Sequence, residues 1–414
     1  SGTIDFDPGP GVYNLSGSGG DIYISKLDPN GNFLWAKAMG SFSGAENGQD
    51  IAIDNSNNVY VTGTFMYTVD FDPGPGVYNL ATTGGKDIFT MKLDANGNFI
   101  WAKKMGGTSD DYGISITLDN WGNVHTLARF TGIGDFDPGA GTFNLTSNGS
   151  WDVIMSKLDS SGNFIWAKQL GGTGFDQGSD MMFDPAGNIF MTGAFVATVD
   201  FDPGPGTYNL TAVSGAALYV LKLDVNGNFV WARAMGSTGG GSSGASGRGI
   251  SLDDSGSIYT SGEFKGTVDF DPGPGVFNQT VPGGGFGSAN GIFISKLDSA
   301  GNFVWAKKMG GATANDFGGV GSLVIDTVGS LYIGGYYGGT FDFDSGPGSF
   351  NITSSGGTQI DPFITKLTSS GNLEWVRSFG GPNADALYSM TADGNGNIYS
   401  TGYFGDTCDF DPSP

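Results

Sequence analysis

The tripeptide Asp-Phe-Asp occurs seven times, beginning at Asp5, Asp70, Asp135, Asp200, Asp269, Asp342 and Asp409. Successive copies lie 65, 65, 65, 69, 73 and 67 residues apart. Units of this size cannot each bury an apolar face alone, so they must stack on their neighbours, and the repeat fixes the architecture before any single residue does. We therefore read the 414 residues as one repeat domain, 1–414, although length alone points to two or three.

Each unit carries two hairpin patterns. Asp21-Ile-Tyr-Ile-Ser-Lys-Leu-Asp28 reads as a strand, Pro29-Asn-Gly31 as a turn and Asn32–Met39 as the returning strand. Gln49–Asp54 and Asn58–Phe65 form the second pair. The first hairpin recurs with Trp35, Trp101, Trp166, Trp231, Trp305 and Trp375; the second recurs at Tyr60, His125, Phe190, Tyr259, Tyr332 and Tyr399. Six copies of each give six four-stranded units and no helix. Along Phe33–Met39 both alternating faces are largely apolar, which suits a sheet packed between two others. Burying a large aromatic stabilises by about 2–3 kcal/mol, so the six tryptophans are read as packing. The 75 glycines fall at fixed points between strand patterns, as turns rather than disorder.

The run Lys-Leu-Asp-x-x-Gly-Asn-Phe-x-Trp, then Met-Gly-Gly, then Ile-x-x-Asp-x-x-Gly-Asn-x-Tyr-x-Thr-Gly is clearest at 92–130 and 157–195. It resembles the bacterial β-propeller repeat family known as SBBP. The resemblance implies secreted or surface-anchored bacterial proteins and no shared catalytic residues. The family name implies seven blades; the count here is six. By analogy with related propellers, the first strand of the second hairpin is innermost and the second strand of the first hairpin outermost. The expected fold is all-β: a six-bladed β-propeller of four-stranded antiparallel blades, closed by a blade shared between the N-terminal strands (21–39) and the C-terminal strands (380–404). Sharing one blade removes the open edges of the array.

The net charge is −23, and twelve of the eighteen Lys and Arg occupy two fixed repeat positions. So acidic a surface excludes nucleic acid and disfavours anionic membrane. No apolar run is long enough for a transmembrane helix. Cys408 is the single cysteine, which excludes an internal disulfide and a cysteine metal site. The chain opens Ser1-Gly-Thr-Ile without Met and is expected to be a processed product. The expected location is extracellular or at the bacterial cell surface, and the expected state a monomer.

In an extended Asp-Phe-Asp the two carboxylates share one side and the phenylalanine takes the other. Pro-Gly pairs then set a tight turn with carbonyls nearby. Two carboxylates, turn carbonyls and an amide such as Asn14 make an oxygen set of calcium type. The candidate calcium ligands are Asp5, Asp7, Asp70, Asp72, Asp135, Asp137, Asp200, Asp202, Asp269, Asp271, Asp342 and Asp344. The alternative is that these aspartates cap the turn or pair with Lys26, Lys92 and their counterparts. The Asp28-x-Asn30-Gly31-Asn32 turns resemble part of an EF-hand loop, but the glycine recurs where the oxygens do not, so they are read as turns. His125 stands where most copies have tyrosine and is read as a strand aromatic. No catalytic set assembles around it.

Loop length varies on one face only, the face of the Asp-Phe-Asp turns and the Met-Gly-Gly links. Insertions stand at Gly239-Gly-Gly-Ser-Ser-Gly and Pro282-Gly-Gly-Gly-Phe-Gly. Variable loops on a rigid scaffold carry function, so this face is expected to work, with Asp110 and Asp111 on it. The expected function is a non-catalytic scaffold or binding module for protein or glycan, stabilised by calcium. A carboxylate-based polysaccharide hydrolase or lyase and a purely structural segment of a longer array are the alternatives.

Overall fold

The strands at 59–65 and 87–93 are buried along their whole length and lie side by side, although they belong to neighbouring repeats. A computed structural model describes residues 2–17, 20–41, 46–239, 243–281, 291–311, 313, 316–357 and 359–411. Among these every regular element is a strand. The insertion at Pro282 lies outside the described residues, and so does half of that at Gly239. The chain divides into two compact units, Ser1–Gly187 and Asn188–Pro414.

In the first unit a six-stranded antiparallel sheet runs in the order Asn47–Ile53, Val59–Phe65, Asp87–Leu93, Phe99–Gly107, Ile133–Asp135 and Asn144–Thr146. Tyr60 lies opposite Lys92, so the second hairpin of one repeat joins the first hairpin of the next. Tyr112–Leu118, Val124–Phe130, Asp152–Leu158 and Phe164–Gly172 pair in the same sequence. The second unit repeats the six-stranded order with Gly244–Leu252, Ile258–Lys265, Gly291–Leu297, Phe303–Gly311, Thr340–Asp342 and Asn351–Thr353. Phe317–Ile325, Leu331–Gly338, Ile360–Leu367 and Leu373–Ser378 form a four-stranded sheet.

The Asp-Phe-Asp segments are more than loops. Ile133–Asp135 pairs with Asn144–Thr146 as a short hairpin, and Gly106 and Gly107 pair with Asp135 and Gly134. The strand contact is close: a Cβ on Gly107 would stand 1.9 Å from the Ile133 carbonyl oxygen. The paired glycines of Met-Gly-Gly therefore serve to admit this hairpin to the sheet.

The central phenylalanine turns inward in five of the seven motifs; Phe6 is half-buried and Phe410 is exposed. Phe71 is fully buried and packs edge-on against Phe65, with ring centroids 5.3 Å apart, and against Phe89 at 5.0 Å. Phe136, Phe201, Phe270 and Phe343 are equally buried. The repeated tryptophans do more than pack. Trp35 Nε1 donates to the Ala95 carbonyl at 3.2 Å, and Trp101 Nε1 to the Ser160 carbonyl at the same distance. Each reaches the hairpin turn of the following repeat. The turn glycine there is required twice over. Gly97 has φ +77°, which favours glycine, and a Cβ on it would meet the Trp35 ring at 3.2 Å.

Candidate functional site

The Asp-Phe-Asp turns are built by their own backbone. Asp70 Oδ1 accepts from the Asp72 and Tyr78 N–H groups at 3.0 and 2.8 Å, and Asp72 Oδ1 accepts from Gly74 N at 2.8 Å. The same three bonds recur at Asp5 and Asp7, Asp135 and Asp137, Asp200 and Asp202, Asp269 and Asp271, and Asp342 and Asp344. Asp72 Oδ2 lies where a Cβ of Gly76 would be, 2.1 Å away, and equivalents hold at Gly11, Gly141, Gly206, Gly275 and Gly348. The last glycine of Pro-Gly-Pro-Gly thus makes room for the second carboxylate. The backbone donors take Oδ1 of each aspartate. Among the described residues, no three of His, Cys, Asp and Glu group as a metal-binding set.

The repeat lysines pair elsewhere. Lys157 Nζ reaches Asp119 Oδ2 at 2.9 Å, Lys296 reaches Asp253 Oδ2 at 3.2 Å, and Lys92 stands 3.9 Å from Asp54 Oδ2. These aspartates close the second hairpin. Asp54 also accepts from the Tyr60 hydroxyl at 3.2 Å, Asp253 from Tyr259 at 3.1 Å and Asp326 from Tyr332 at 3.2 Å. His125 occupies the tyrosine position and puts Nε2 3.3 Å from Asp119 Oδ2. Its ring packs on Phe183 and Trp166 at 4.7 and 5.6 Å. Burial holds the imidazole below its ordinary value. Burial pulls Asp119 upward, but bonds from His125, Asn123 and Lys157 outweigh it and hold the carboxyl well below the usual range.

Sequence reading missed the place where the repeats differ most. The residue before the aromatic that ends the second hairpin is Thr64, Arg129, Ala194, Glu263, Tyr336 or Tyr403 in turn. Arg129 lies opposite Val153, and Thr64, Ala194 and Glu263 lie opposite the equivalent Ile88, Leu218 and Ile292. The Arg129 guanidinium stands 4.9 Å from the Tyr112 ring, 5.0 Å from Trp151 and 5.6 Å from Phe175, and Nη1 donates to Gln177 Oε1 at 2.9 Å. Lys86 Nζ lies 5.3 Å from the Tyr112 ring centroid. Phe175 is 39% exposed. Trp151 is one of two tryptophans outside the six repeat positions, and that surplus was the available signal. Of the two aspartates expected on this face, Asp110 bonds Lys86 N and the Tyr112 hydroxyl, whereas Asp111 is fully buried.

The β-propeller repeat known as SBBP matches at residues 165–194 and 374–403. The chain is 25% identical over 444 aligned residues to the uncharacterized WD repeat-containing protein L264 of Acanthamoeba polyphaga mimivirus, covering 90% of this chain and 31% of that protein. It is 22% identical over 209 residues to the regulatory protein FlaEY of Caulobacter vibrioides, covering 48% of this chain and 21% of that one. It therefore spans less than a third of either relative. A crystal structure of a protein of unknown function from Bacteroides caccae is similar at a TM-score of 0.39 with 9% identity, covering 86% of this chain and 89% of that one.

Proposed function

We propose that this chain, all-β and carrying the β-propeller repeat at two places, is a non-catalytic extracellular scaffold that binds protein or glycan. The observation that carries this reading is how the two kinds of residue divide. The acids common to the repeats bond backbone N–H groups or lysines within the fold. One group of departures from the repeat gathers where Arg129, Trp151, Tyr112, Phe175 and Gln177 meet. Aromatic faces beside a guanidinium and an amide suit sugar rings or peptide side chains. The test is affinity electrophoresis through a panel of neutral and acidic polysaccharides, with Arg129→Ala beside Asn96→Ala. Retardation that falls several-fold only in Arg129→Ala, with no depolymerisation, supports a binding module. Depolymerisation of any of them favours the hydrolase or lyase.

Calcium is a second reading of the acidic turns. It is favoured by the donors converging on Oδ1 of each aspartate, which leaves Oδ2 to other partners, and by the net charge of −23. Calcium at 100 times its dissociation constant stabilises by about 2.7 kcal/mol. A melting curve that rises with calcium and falls with chelator supports it; identical curves return the turns to backbone caps.

The architecture proposed with this function is a ring of six blades. Tyr399 is 52% exposed, whereas its equivalents Tyr60, Tyr259 and Tyr332 are no more than 4% exposed. Ile398–Tyr403 and Ile22–Leu27 each belong to a two-stranded sheet. The next strand beside Tyr60 supplies Lys92, so an edge lacking that neighbour is consistent with a shared closing blade.

A further inference from the structure

Three repeats bury two carboxyl groups against the same glycine pair. Asp87, Asp152 and Asp361 begin the first strand of the first hairpin, and Asp111, Asp176 and Asp385 end the link to the next hairpin. All six are at most 2% exposed. The second acid is pinned by its own N–H, which donates to the carbonyl of the residue before the first acid. The distances are 2.7 Å for Asp111 to Lys86, 2.9 Å for Asp176 to Trp151 and 2.8 Å for Asp385 to Ile360. Its Oδ2 then accepts from Gly107, Gly172 or Gly381 N at 2.8, 2.7 and 2.7 Å. The first acid sits on the preceding glycine. A Cβ on Gly106 would lie 2.5 Å from Asp87 Oδ1 and 2.6 Å from Asp111 Oδ2, so both oxygens look onto one point.

In each first acid one oxygen is bonded and the other is not. Asp87 Oδ2 takes Lys104 Nζ at 3.1 Å, Asp152 Oδ2 takes Gln169 Nε2 at 2.6 Å and Asn148 N at 3.0 Å, and Asp361 Oδ2 takes Ser355 N at 2.7 Å. Oδ1 of Asp87, Asp152 and Asp361 is buried with no hydrogen-bond partner. A buried acceptor left so is costly, and two ionised carboxylates side by side are costlier. The chain also carries its own controls. In the repeat where the first acid is Ala217, the second position is Ala245, so both carboxyls are lost together. Where the first is Gly291, Asp316 remains, with Thr313 N and Oγ1 at 2.8 and 2.9 Å on Oδ2 and Thr340 N at 3.0 Å on Oδ1.

We infer that each pair shares one proton, carried on the first acid's Oδ1 and donated to the second acid, and that these protons latch the link loop to the sheet. The donors already present disfavour a cation in the same place: a backbone N–H points at Oδ2 of each second acid, and Lys104 flanks the first pair. Other ionisable groups face the pairs. Asp110 raises Asp111 further, and burial pushes Asp111 up to about 7. Burial raises Asp152. Burial and Asp385 raise Asp361, and the pair in turn faces Tyr337, Tyr403 and Cys408.

The sign follows from linkage. A carboxyl raised in the folded state gives stability that is complete below its unfolded value and is lost as pH rises to the folded one. Each latch therefore lowers the folding constant by up to tenfold per pH unit as pH rises above about 4, and levels off above its folded value, which for Asp111 is about 7. The test compares urea midpoints of the whole chain from pH 4.5 to 8.5 for wild type, Asp152→Asn and the double variant Asp152→Ala/Asp176→Ala. Ala217 and Ala245 show that the double form fits the fold. Asp152→Asn, whose amide donates at every pH, and the double variant should both flatten the slope. In infrared spectra at pH 6 the protonated-carboxyl C=O band should weaken in Asp152→Asn. A slope and band unchanged in both variants overturn the inference. So does a wild-type slope abolished by calcium and restored by chelator, which would make the pair a cation site.

Discussion

His125 Nε2 faces Asp119 Oδ2 at 3.3 Å, in the place where a tyrosine hydroxyl meets Asp54, Asp253, Asp326 and Asp393 at 3.1 to 3.3 Å. One histidine thus does the work of a hydroxyl, and it brings a titration that the tyrosines lack. Its folded value lies below the free one, so the unfolded chain binds the extra proton. Stability from this site is full above about pH 6.5 and declines as pH falls below it. His125→Tyr should keep stability at pH 7.5 within about 1 kcal/mol and lessen the decline between pH 6.5 and 5. His125→Phe, which leaves Asp119 one donor short, should cost about 1–3 kcal/mol at every pH. Thermal melts across this range check both.

The glycine that ends Pro-Gly-Pro-Gly is held by the oxygen beside it. Gly76→Ala places a methyl 2.1 Å from Asp72 Oδ2, and overpacking of this kind costs about 1–3 kcal/mol. Asp72→Ala removes both the obstruction and the bond to Gly74 N. The double variant should therefore be less destabilised than the sum of the singles by 0.5 kcal/mol or more, roughly the threshold for coupled neighbours. Chemical denaturation of the three variants measures that coupling.

Periodicity made the strands and the inward Phe71 legible, because both follow from alternation along a local run. The double demand on Gly97 was half legible: its turn was visible, but the Trp35 ring beneath it comes from another repeat. The Asp-Phe-Asp hairpin was harder, since its pairing depends on Gly106 and Gly107 from a distant segment. The buried acids were the least legible. Asp111 beside Asp110 reads as a surface pair, and only tertiary packing assigns one to solvent and the other to the interior.

Trp35 and Trp101 predict how repeats hold together. Trp101→Phe keeps most of the apolar area but leaves the Ser160 carbonyl without its indole donor, and should cost about 1 kcal/mol. Trp101→Ala should cost about 3–5 kcal/mol. Hydrogen exchange should show the added opening at both Phe99–Gly107 and the turn after Leu158. An effect confined to the first strand would separate the two repeats energetically.

The proposed closing blade has a register that can be tested. Val59 faces Leu93, Tyr60 faces Lys92 and Thr62 faces Thr90. Applied to the terminal strands, the same alignment sets Ile398 against Leu27, Tyr399 against Lys26 and Ser400 against Ser25. It would also rebuild the lysine, tyrosine and aspartate arrangement of Lys296, Tyr259 and Asp253 with Lys26, Tyr399 and Asp393. Ser25→Cys with Ser400→Cys, in a Cys408→Ser background, should oxidise within one chain and migrate as a monomer on a non-reducing gel. The cross-link closes nearly the whole chain into one loop and should raise the melting temperature, since long loops lose the most unfolded-state entropy. Disulfide-linked dimers and higher oligomers would mean that the two edges join different molecules. Failure to oxidise at all would leave the ring without its closing blade.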